Sequence, residues 1–199
     1  LVAEDEHFPL TEASIAVAQH AFPDLDVQHV LDEIDQFGDR LKKRISADAS
    51  AVQRLQQLKH LFFTELGFGP NPNDFYAPEN SYIHHVLQSR RGIPISIAVI
   101  WLELAQALGL KAEGVSFPGH FLVKVTLPEG LVVLDPLTGE SLGLDNLAER
   151  LAPFRSILGD SSDIDTPLGL FLQPAQPREI LSRMLRNLKE IFSSQEDWM

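Results

Sequence analysis

Apolar residues recur at helical spacing through the first third of the chain. Thr11 and Glu12 open the segment ASIAVAQHAF, which stops at Pro23, and this predicts a short helix. Asp26 precedes a run in which Val27, Val30, Leu31, Ile34, Phe37, Leu41 and Ile45 share one face. Lys42, Lys43 and Arg44 close that run, where the negative end of a helix favours cations. After the polar stretch SADAS, Val52, Leu55, Leu58, Leu61, Phe62 and Leu66 define a third amphipathic helix, ended by GFGPNPND.

The period then changes. NSYIHHVLQSRR and PISIAVIWLELAQALGL read as two helices separated at Gly92, while FLVKVTL and LVVLD read as strands joined by the turn LPEG, an antiparallel pair. Asp145 is expected to cap a short helix that Pro153 closes, and GDSSDIDTP at 159–167 reads as an exposed loop. Ile180, Leu181, Met184, Leu185, Leu188, Ile191 and Phe192 predict a long amphipathic helix near the C-terminus. The expected fold is α+β. A helical subdomain occupies 1–70, a core over 71–165 packs a central helix on a small antiparallel sheet, and a strand/helix segment occupies 166–199.

With 199 residues, 44% hydrophobic and 22% charged, the chain can bury one substantial core or two small ones and is not compositionally disordered. Its formal charge of -12 argues against nucleic acid or anionic lipid as partners, since both are held by clustered Lys and Arg. No apolar run is long enough for a membrane span, so a cytoplasmic location is expected. The absence of cysteine removes thiol nucleophiles and thiolate metal ligands together. His84 and His85 are adjacent and expected to face different sides of a helix, so they are not a chelating pair, and neither metal nor cofactor is expected. Arg90 and Arg91 end the first central helix, where they could cap it or hold an anion. Asn80 reads as a helix N-cap.

NSYIHHVLQSRRGIPIS, GVSFPGHFLVKV and LDPLTGESL, in that order, resemble the transglutaminase-like superfamily. The likeness is to its bacterial branch named after the SirB invasion regulators. The helical first third and the terminal LQPAQPREILSRMLRNLKEIF are similar to that branch too, so the resemblance covers nearly the whole chain. It implies a transglutaminase/papain-like core, followed from about Met199 by a tetratricopeptide-like helical region. In active members a Cys begins the central helix, a His sits on one strand and an Asp on the next. Matched position by position, Pro94 stands where the Cys would be, and His120 and Asp135 take the other two places. The branch is similar in carrying Pro there. Thiol transglutaminase and cysteine protease chemistry are therefore excluded.

Three readings follow. The first is a non-catalytic regulatory module that binds a protein or peptide in the groove left by the missing thiol, with Asn80, Tyr82, Arg91, Pro94, Phe117 and His120 as its contacts. The second is a peptidase- or amidase-like hydrolase in which His120, oriented by Asp135, activates water or Ser96. Ser96 lies two positions beyond Pro94, about 200° around the helix axis, which aims its hydroxyl away from the Cys place and toward first-turn backbone. The third is a structural adaptor working through its C-terminal helix.

Overall fold

The computed structural model describes residues 8–155 and 167–194. Except for Pro167, the expected loop at 159–167 lies outside the described residues, as does the chain beyond 194. Helix α1 spans Leu10–Ala16 and tightens into a 3-10 turn at Val17–His20. Thr11 is the second residue of α1, and its hydroxyl donates to Glu103. Helix α2, Val27–Arg44, begins as its sequence requires: the Asp26 carboxylate accepts the amide of His29 at 3.1 Å, offsetting an orphan donor of the first turn.

Helix α3, Ala51–Lys59, opens on a capping box in which Ser50 and Gln53 exchange hydrogen bonds at 3.2 and 2.8 Å. The single regular helix expected here gives way to a wide π-helical turn at His60–Glu65. That turn carries the amide of Leu66 back to the carbonyl of Leu61 at 2.8 Å and lets Phe62 stack on Phe68 at 4.1 Å.

A 3-10 turn at Pro78–Ser81 leads into α4, Ile83–Ser89, and then α5, Pro94–Ala107. Helix α5 is the axis of the molecule. Every residue from Ile95 to Trp101 is buried, and the helix touches α1, α2, α3, α4 and the sheet. Pro at its first position suits a place where no amide is needed.

Four antiparallel strands, β1 (Lys111–Val115), β2 (Leu122–Leu127), β3 (Gly130–Leu134) and β4 (Ser141–Leu142), lie in sequence order. β2 and β3 are the expected pair; β1 and β4 extend it on either side. Strand alternation sends Val123, Val125 and Leu134 into the main core against α5. It sends Val115, Leu122 and Val133 to a second core with Leu147 and Leu151 of α6, Leu144–Arg155. Pro153 does not end α6, which continues through it to Arg155, and Asp145 sits in its first turn rather than at the cap. No strand forms between 167 and 176; Leu168–Leu172 is a 3-10 turn. Helix α7, Pro177–Ser194, buries Ile180, Met184, Leu188 and Ile191.

Candidate functional site

In an antiparallel pair, the start of one strand and the end of its neighbour meet at the same sheet edge. Val123 pairs with Leu134, so His120, just before β2, and Asp135, just after β3, meet at one end. Nε2 of His120 is 3.2 Å from Oδ1 of Asp135. Asp135 is buried and its carboxylate accepts two further hydrogen bonds, from the amide of Leu137 at 3.0 Å on Oδ1 and from Arg150 of α6 at 2.8 Å on Oδ2, while its backbone amide donates to the carbonyl of Glu140. Burial alone would raise this carboxyl. The bonds from His120, Leu137 and Arg150 outweigh burial and bring it down to about 2. An ionised carboxylate only accepts, so Nε2 of His120 carries the proton it donates. The other ring nitrogen, Nδ1, has no protein partner among the described residues.

The turn that delivers His120 depends on Gly119, whose φ is 68°; the ring of Phe154 occupies the space a Cβ would need. His120 opens onto a groove of about 410 Å³. Its floor is the start of α5, Ile93 to Ile95, and one lip is the loop pair Phe75 and Tyr76, both exposed. A further wall is α7, through Arg183, Asn187, Glu190, Ile191 and Ser194. Pro94 thus lines the same groove as His120 and supplies no reactive atom.

Ser96 is elsewhere. It is fully buried, its hydroxyl bonds the carbonyls of Asn80 (2.6 Å) and Ile93 (3.0 Å), and it accepts the amide of Ile93 at 3.2 Å. It makes no bond to His120. Gly92 allows this close approach, because a Cβ there would lie 2.8 Å from the Ser96 hydroxyl.

Of the residues picked out by sequence, Pro94 and His120 line the groove; Asn80, Tyr82, Arg91 and Phe117 do not. Asn80 is no helix cap. Its buried amide donates to the carbonyls of Asp74 (2.7 Å) and Phe75 (3.1 Å), anchoring the aromatic lip from beneath. Tyr82 is buried against Phe22, and Phe117 fills the second core. Arg91 bonds the carbonyl of Gly67, and Arg90 lies between the rings of Phe37 and Phe68, 5.0 Å from each. Neither arginine reaches the groove. His84 and His85 do not diverge as expected: both rings pack on Phe22, at 4.8 and 5.2 Å. Burial, and then the neighbouring His85, lower the pKa of His84, whose Nδ1 has no partner among the described residues.

Sequence reasoning missed Arg150, Arg183 and the Phe75–Tyr76 lip. A cation in the helix following the Asp strand was a signal for Arg150; the other two carry no local mark of their position.

The profile of the transglutaminase-like superfamily matches residues 28–186. A UPF0162 protein of Xylella fastidiosa is 35% identical over 98% of this chain and 69% of its own length. One from Pseudomonas aeruginosa is 33% identical over 93% of this chain and 65% of its own length. Human F-box only protein 21 is 40% identical over a shorter stretch, 36% of this chain and 12% of that protein. No solved structure matches.

Proposed function

The chain belongs to the transglutaminase-like superfamily, and from that premise we propose that it is a non-catalytic module, a pseudoenzyme, whose groove binds a protein or peptide. The observation that carries this reading is that His120, oriented by Asp135, and Pro94, at the position matched to the Cys, line the same groove. The groove retains an aromatic lip and a polar wall, but the hydroxyl of Ser194, which lines it, is spent on the carbonyl of Ile191, and no hydroxyl among the described residues bonds the imidazole. In this reading residues 1–70 buttress the core, 71–165 carry the groove, and 166–199 supply, through α7, one of its walls and lead toward a tetratricopeptide-like region. The acidic surface makes nucleic acid a poor partner, and we place the protein in the cytoplasm. Among the described residues, no helix is long and apolar enough to cross a membrane.

A second reading, a peptidase- or amidase-like hydrolase with His120 activating water, draws support from the ionised Asp135 that keeps the proton on Nε2. Ser96 contributes nothing to it, because its hydroxyl is engaged with backbone in the core.

Cross-linking of a bound partner separates the binding reading from the adaptor. Phe75→Ala with Tyr76→Ala removes two exposed lip residues, whereas Leu185→Ala removes an exposed apolar residue of α7. Loss with the lip variant and retention with the α7 variant supports groove binding; the reverse pattern moves the function to the helix.

A further inference from the structure

The wall that α7 gives the groove carries opposite charges at separated points. Arg183, Asn187, Glu190 and Ser194 line it, and at 3.6 residues per turn these positions share one face of the helix. Arg183 spends two N–H groups on the carbonyls of Phe117 (3.4 Å) and His120 (3.0 Å), which leaves about three of its five donors for another acceptor. Its guanidinium is half-buried beside the ring of Phe121, 5.7 Å from the centroid. No carboxylate of the described residues lies within ion-pair distance of it, although the chain has 28 Asp and Glu against 16 Lys and Arg. Burial pulls its pKa down, as does the nearby charge of Arg186. A half-buried cation with no counter-ion is unfavourable, and a carboxylate ligand would relieve it through charge-assisted hydrogen bonds. Glu190 is exposed and is also outside any ion pair among the described residues.

Seven helical positions separate Arg183 from Glu190 by about 10.5 Å. Three extended residues span about 10 to 11 Å, and the two ends of a free peptide necessarily carry opposite charges. An interior segment of a protein has no such obligatory pair. Apolar surface comes from Phe75, Ile93, Pro94 and Phe121, and the groove's volume of about 410 Å³ is in the usual range for a small ligand.

We propose that the groove takes a short free peptide of about three residues, its C-terminal carboxylate on Arg183, its N-terminal ammonium on Glu190, and its side chains against the apolar wall. This deepens the peptide-binding reading and rests on it.

The test is calorimetric titration of the folded chain with the tripeptide Ala-Phe-Ala, with its N-acetylated and C-amidated forms, and with the dipeptide and pentapeptide of the same type. The tripeptide with both ends free should bind best. Blocking either end should weaken it about tenfold or more, as loss of a charged partner does. Arg183→Gln should weaken the free peptide and be indifferent to amidation; Glu190→Gln should be indifferent to acetylation. Because Arg183 also holds two carbonyls, circular dichroism must show the variant folded, and the exposed Glu190 provides an independent arm. Equal binding of the acetylated and amidated forms overturns the proposal but leaves the groove reading standing. So does failure of the tripeptide alongside lip-dependent binding of longer display-library peptides. If neither class binds a folded protein, both fall.

Discussion

Arg150 donates from Nη1 to Oδ2 of Asp135 at 2.8 Å, so the acid that orients His120 is itself fixed through its second oxygen. Helix α6 therefore takes part in the site without entering the groove, and the charge state of Asp135 is tied to the stability of the fold.

Lowering pH should expose that tie. The folded carboxyl titrates at about 2, against an ordinary value of 3.8. A depressed carboxylate contributes stability that is complete above the unfolded value and lost as pH falls through the folded one. The window is thus about pH 4 down to 2, and the contribution is about 2 kcal/mol. Urea midpoints measured across it should fall for the native chain. Asp135→Asn should be less stable at neutral pH and show a shallower dependence in that window; an unchanged slope would mean that Asp135 is not held as described.

Pro94→Cys should yield a folded protein, since a first-turn Pro is favourable but not essential. The new thiol would stand at the start of α5 in the groove with His120, and its pKa should lie below the free value of about 8.5. We expect alkylation near neutral pH to be faster than for a free thiol, with the excess lost on adding His120→Ala. An ordinary pKa, indifferent to His120, would make the His–Asp pair a structural remnant and favour the adaptor reading.

Ser96→Ala should cost about 1 to 3 kcal/mol, because it removes a buried hydroxyl that serves the amide of Ile93 and the carbonyl of Asn80. Thermal or urea unfolding measures this. A fluorophosphonate probe should leave Ser96 unlabelled in the native chain; labelling would restore the serine hydrolase.

His84 gives a second pH signature, at a higher range. Its folded pKa is lowered from 6.5 by burial, so the unfolded chain binds the proton more readily and stability declines as pH falls through the unfolded value. His84→Leu should remove the part of that decline that sets in as pH falls through the ordinary imidazole pKa of about 6.5. Parallel curves for the two proteins would show that His84 is not the group responsible.

What could be read from sequence follows from the range of the interactions. The Asp26 cap, the α2 and α7 stripes and the Pro94 start depend on neighbours within one or two turns, and each leaves a local pattern. The pairing of His120 with Asp135 was reachable because one hairpin joins them. Arg150 pairs across a further turn and helix, and Arg183 meets His120 from 63 positions away, so no periodicity marks either. Thr11 opens its helix as the sequence suggests, but nothing local marks the distant carboxylate, Glu103, that takes its hydroxyl. Pro153 resembles a stop, yet a Pro is tolerated inside the last turn of α6. The widened turn after Lys59 has the same apolar spacing as a regular helix and differs only in which carbonyl each amide reaches.

Asn80 joins two parts of the groove through a single residue. Its side-chain amide holds the carbonyls of Asp74 and Phe75, and its own carbonyl accepts the amide of Ile93 at 3.2 Å and the hydroxyl of Ser96 at 2.6 Å. The aromatic lip and the helix that forms the floor are thereby pre-organised with respect to each other. A ligand entering between them need not freeze a loop, so the entropy that ordering would cost, about 0.5 to 1.5 kcal/mol for each immobilised side chain, is already met by folding. Breaking this junction should therefore weaken binding through the free state, by loosening the empty groove, while every contact in the bound state remains available.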